Sequence, residues 1–90
     1  MKIAHIKITG GQNDITLAHG EETVTEDSFT AVSFPYALPQ IPHVMATPIS
    51  TDSGHTATVS NVTVNGFTIY LNKQGGGGAD DVEVSWIAVS

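Results

Sequence analysis

Cysteine and arginine are both missing from this chain of 90 residues, and three lysines stand against nine aspartates and glutamates. Without cysteine there is no disulfide, thiol nucleophile or thiolate metal site. A net charge of −6 leaves no cationic surface to release counterions from a phosphate backbone, so nucleic acid is excluded as a partner. An anionic membrane surface is disfavoured for the same reason. No apolar run is long enough to cross a bilayer, and no basic start leads into an apolar export segment. Helical spacing is also lacking: every stretch of a dozen residues is broken by glycine, proline or β-branched side chains.

What is present is alternation. Seven short segments, several with apolar side chains at alternate positions and all separated by turn-forming residues, predict strands over Lys2–Thr9, Asp14–Ala18, Phe29–Phe34, His43–Ile49, His55–Val64, Phe67–Asn72 and Asp81–Val89. The fold class is therefore all-β, a small antiparallel β-sandwich of six to seven strands. It forms one domain over residues 1–90, with amino-terminal strands in 1–28 and the main body in 29–90. A chain this short buries only about 60–65% of its unfolded surface, so oligomerisation would add needed stability.

The segments between strands carry turn chemistry. Asn65-Gly66 predicts a two-residue type I′ turn, because both residues tolerate positive φ. Before it, Val62 and Val64 have one parity and Ala57 and Val59 the other, which places a β-bulge near Ser60-Asn61. His19-Gly20-Glu21-Glu22 reads as another turn. Phe34–Pro42 holds three prolines in nine residues and reads as an ordered crossover whose Phe, Tyr, Leu and Ile cap one end of the core. Gly75–Gly78, four glycines in a row, reads as a mobile loop unless a ligand or partner orders it.

The closing strand is apolar on both faces. Trp86 shares its parity with Val82, Val84 and Ala88, which assigns it to the core, while Ile87 and Val89 point the other way. In a two-layer domain the second apolar row needs a cover, and another subunit supplies one. Tyr70 is assigned to the same interface.

Phe34-Pro35-Tyr36, Ile41-Pro42-His43-Val44, Asn65-Gly66-Phe67 and Val84-Ser85-Trp86-Ile87-Ala88, in that order, resemble the H-type lectin domain, found in snail agglutinins, in discoidins and in bacteriophage tail proteins. The resemblance covers Thr30 to Ser90. It implies a homotrimeric sandwich that binds sugars near subunit boundaries, with a cell-surface glycan or other virion proteins as partners and, for a phage-derived chain, the virion tail or surface as its location. The family's sugar contacts transfer poorly. Positions that carry an aromatic ring and a histidine in the animal lectins align with Gln74 and Gly75, a tyrosine position aligns with Asp80, and a neighbour's arginine falls at Gly54 beside His55. Losing the aromatics removes the apolar half of sugar recognition.

Six residues then become candidates for ligand contact. Lys73, Gln74, Asp80 and Asp81 flank the glycine run, and together with Asp52 and His55, at the turn ahead of the hairpin, they offer amides and carboxylates to hydroxyl groups. No catalytic residue is assigned: neighbours such as Asp52, Ser53 and His55 cannot easily form a nucleophile–base–orienter line, and Glu21, Glu22, Glu26 and Asp27 read as a charged edge or loop. No metal or other cofactor is predicted, since no histidines have ligand spacing and no Asp-x-Asp-x-Asp-Gly calcium loop occurs. The expected function is a non-enzymatic carbohydrate-binding module for attachment. The alternative is a trimeric decoration, collar or tail component that binds no sugar.

Overall fold

The computed structural model describes residues 2–8, 15–50 and 54–90, without the side chains of residues 2–8 and 15. The described strands are β1 (Lys2–Ile8), β2 (Ile15–Thr25), β3 (Ser28–Ser33), β4 (His43–Ile49), β5 (His55–Thr63), β6 (Gly66–Lys73) and β7 (Asp81–Val89). They form two antiparallel sheets, one ordered β1-β2-β7-β4 and the other β3-β6-β5. This is the small all-β sandwich that the alternation predicts.

Each sheet contributes one row of alternate side chains to the core. Val82, Val84, Trp86 and Ala88 of β7 face Phe67, Ile69 and Leu71 of β6, with Val24 and Val32 closing the layer. Trp86 is buried as its parity requires, packed edge-on against Phe67 at 5.1 Å between centroids and tilted against Phe34 at 5.8 Å. Such offset rings satisfy the aromatic quadrupoles better than face-to-face stacking. Pro48 sits within β4, which among the described residues pairs only with β7 and so needs no ladder bond on its outer side.

Three details depart from the sequence reading. First, His19–Glu22 is not a turn. β2 runs on to Thr25, because pairing with β7 from Leu17↔Val89 to Thr25↔Asp81 outweighs local turn preference, and Gly20 is buried opposite Trp86. Second, the hairpin turn is Val64-Asn65, with Thr63 paired to Gly66, and neither turn residue has positive φ, so it is not type I′. The Thr63 hydroxyl accepts from the Asn65 amide at 3.1 Å and holds the turn instead. Gly66 is required for another reason: a Cβ there would lie 2.1 Å from the Val32 carbonyl oxygen across the β3–β6 ladder. Third, Phe34 and Leu38 of the proline segment are buried, but Tyr36 and Ile41 face outward. The segment is tied to the hairpin by the Phe34 and Leu38 amides, which donate to the Asn65 and Val64 carbonyls at 2.9 and 2.8 Å.

The expected bulge is present. The β5–β6 register shifts between Ser60 and Thr63, and Asn61 takes φ 52°, a left-handed conformation that asparagine tolerates better than most residues. The slip returns Val62 to the core side.

Candidate functional site

The candidate site lies where the chain passes from one sheet to the other. Thr25 ends β2, Ser28 begins β3, and only Glu26 and Asp27 separate them. Asp27 takes φ 57°, tolerable for a short polar side chain in a tight turn. Its amide donates to the Leu71 carbonyl at 2.6 Å, which locks the turn onto β6.

Both carboxylates of this turn point back into the structure. Asp27 Oδ1 accepts from the Lys73 amide at 3.1 Å, and Oδ2 accepts from the Gly78 amide at 2.8 Å. Glu26, 5% exposed, accepts from the Asp80 amide on Oε1 at 3.1 Å and meets His55 Nε2 on Oε2 at 2.5 Å. Lys73 Nζ stands 3.9 Å from the same oxygen. The His55 bond, then the Asp80 amide, hold the Glu26 carboxyl below its ordinary value against the opposing effect of burial, with Lys73 adding to the lowering. The Lys73 and Gly78 amides do the same for Asp27. The turn therefore carries two stably ionised carboxylates whose partners come from β5, β6, the glycine run and Asp80, the residue before β7.

The glycine run is shaped by these ties. Gly75, Gly76 and Gly77 have φ of 91°, 74° and 72°, a succession that side-chain-bearing residues adopt only with strain. The Gly76 amide closes a turn onto the Lys73 carbonyl at 2.9 Å, and the Gln74 amide reaches the Gly54 carbonyl at 2.7 Å. At Gly78 an added Cβ would come within contact distance of Glu26, 2.5 Å from Oε1. The run is thus anchored at both ends.

Beside the turn opens a cleft of about 610 Å³ lined by Glu26, Ile49, Ser50, His55, Asp80, Asp81, Val82 and Glu83. Its rim is rich in acceptors over a short apolar strip of Ile49 and Val82. Thr25 and Thr23 donate their hydroxyls to Asp81 at 2.7 Å and to Glu83 at 2.9 Å, which orients both carboxylates across the β2–β7 ladder. Such a surface suits a ligand that presents hydroxyl donors.

Five of the six candidate contact residues meet at this end of the sandwich: His55, Lys73, Gln74, Asp80 and Asp81. Asp52 lies outside the described residues. His55 is engaged with Glu26, its side chain only 4% exposed, so it forms the wall of the cleft rather than a free arm. The three interface candidates do not share a surface. Ile87 and Val89 lie on the outer face of the four-stranded sheet with Leu17, Met45 and Ile49, whereas Tyr70 lies on the outer face of the other sheet, against Phe29.

Sequence reasoning missed Glu26 and Asp27 as the organisers of this end. A signal was available: a run of glycine amides has no side chains to satisfy it, so the acidic turn pair earlier in the chain was a candidate partner.

The model of the H-type lectin domain matches residues 29–89. Among solved structures, a carboxy-terminal portion of the P. aeruginosa R2 pyocin fibre superposes with a TM-score of 0.68 at 15% identity, covering 100% of this chain and 26% of the fibre chain. An amino-terminally truncated R1-type pyocin tail fibre gives a TM-score of 0.67 at 15% identity, covering 100% of this chain and 86% of that one. These likenesses concern the fold. No curated protein sequence matches the chain.

Proposed function

The chain belongs to the H-type lectin domain family, and from that premise we propose that it is a non-enzymatic carbohydrate-binding module that attaches a tail-fibre or virion assembly to a cell surface. The observation that carries this reading is the polar end cleft, where the carboxylates of Asp81 and Glu83 are held as ordered acceptors and Asp80 lines the wall beside the anchored glycine run. Acceptors of this kind recognise sugar hydroxyls.

The assembly is a homotrimer held through the outer face of the four-stranded sheet, where Ile87 and Val89 are joined by Met45, 66% exposed, and Ile49, 55% exposed. Several weak sites on one rigid body raise avidity without strengthening any single site. The second reading, a structural virion component that binds no sugar, is favoured by one observation: among the described residues, no aromatic side chain lines the end cleft.

A glycan array run on the purified protein, with its mass measured in the same buffer, tests both. Saccharide binding supports attachment; a trimer that binds nothing on the array supports the structural role.

A further inference from the structure

The outer face of the three-stranded sheet carries an aromatic pair that the end cleft lacks. Phe29 of β3 and Tyr70 of β6 are direct cross-strand partners, and their ring centroids lie 4.7 Å apart at 51°. Phe29 is 70% exposed although it is one of the largest apolar side chains in the protein. Its parity explains why: Val32 and Phe34 take the core positions of this stretch, and Phe29 alternates with them.

The surroundings are chemically uniform. Thr58 of β5 sits across from Tyr70 on its other side, and Thr68 and Asn72 flank Tyr70 along β6. The outward positions of β3, β5 and β6 hold hydroxyls, an amide, one alanine and the two rings, and none bears a formal charge, in a protein of net charge −6. Hydroxyl and amide groups beside an exposed ring are the two halves of saccharide recognition, C–H stacking and polar hydrogen bonding. The opposite sheet is different, for its outer face mixes Met45, Ile87 and Val89 with His19 and Glu21.

From this we infer a second saccharide site: the Phe29–Tyr70 pair is a stacking platform for an uncharged sugar ring, with Thr58, Thr68 and Asn72 as hydrogen-bonding neighbours. This inference rests on the carbohydrate-binding reading above and places its apolar contact on the sheet face rather than in the cleft. A protein partner fits the patch poorly. Two rings supply at most a few hundred Å² of apolar surface, whereas a stable interface buries roughly 800 Å² on each partner. A charged glycan finds no counter-charge on this face.

The test is an array of neutral and sialylated oligosaccharides probed with the wild-type chain, Phe29→Ala, Phe29→Trp, and Gln74→Ala combined with Asp80→Ala, each at an assembly state checked by native mass. Phe29 is exposed, so its replacement should leave the protein folded, with only the cross-strand ring contact to Tyr70 lost. The inference expects the wild-type chain to bind neutral saccharides, Phe29→Ala to weaken them by about tenfold or more, and Phe29→Trp to retain them. Undiminished binding by Phe29→Ala together with its loss in the Gln74/Asp80 variant would overturn the platform and leave the lectin reading standing. A change of mass in Phe29→Ala would make the rings a subunit contact, and binding confined to sialylated chains would remove the neutral ligand. A wild-type chain that binds no saccharide at all would end the carbohydrate reading itself, and the platform with it.

Discussion

His55 at the start of β5 and Glu26 in the turn between β2 and β3 are joined by a hydrogen bond of 2.5 Å, formed where both side chains are almost wholly buried. The bond ties the three-stranded sheet to the turn that leads out of the four-stranded one. Through Glu26 it extends to the Asp80 amide at the entry to β7.

Acid should loosen this end of the protein first. The Glu26 and Asp27 carboxyls are held below their ordinary values of 4.5 and 3.8. Groups with lowered folded-state values stabilise fully above the unfolded values and lose that contribution as pH falls through the folded ones. The melting temperature should therefore be flat above about pH 5 and decline below it, more steeply than in Glu26→Gln combined with Asp27→Asn. Thermal scans of both proteins across that window check the claim, and parallel profiles would contradict it.

Gly66→Ala should be among the costlier single-methyl additions. The new Cβ would stand 2.1 Å from the Val32 carbonyl oxygen, so the β3–β6 ladder must part locally. Overpacking of this kind costs about 1–3 kcal/mol. Denaturant unfolding measures it, and a loss under a few tenths of that range would show that the hairpin can shift as a unit.

Trp86 anchors the core, and Trp86→Ala should cost about 3–5 kcal/mol. Its Nε1 is buried without a hydrogen-bond partner among the described residues, so the indole brings an unsatisfied donor with its packing area. Trp86→Phe should accordingly cost much less than Trp86→Ala. Equal losses in chemical denaturation would mean that the Nε1 donor has a partner after all.

Assembly can be tested on the other outer face. Ile87 is half-buried on an apolar row beside exposed Met45. Ile87→Lys places a charge there and should shift the native mass from trimer to monomer while circular dichroism stays that of a β protein. A wild-type monomer at micromolar concentration would refute the trimer outright.

Much of the architecture was legible because alternation reports burial directly. The parities of Val82, Val84 and Trp86 separated core from surface, and the phase slip between Val59 and Val62 located the bulge. Turn details were less legible. Gly66 is present for close backbone approach rather than for positive φ, and the letters Asn-Gly do not distinguish the two. The extent of β2 was hidden because the turn-forming residues His19–Glu22 are overruled by partners more than sixty positions away. The candidate site was half legible: the residues flanking the glycine run do converge, but their organiser is a carboxylate pair some fifty residues earlier in the chain.

The glycine run is fastened through its own amides and those of its neighbours, so the fastening makes no demand on the side chains at Gln74, Ala79 and Asp80. Those positions can diversify while the loop keeps its path, with Gly78 the exception because Glu26 fills the space a side chain would need. A fold wired in this way separates the path of the loop from the chemistry of its rim, so point substitutions at these positions can change the rim's polar groups without changing its shape.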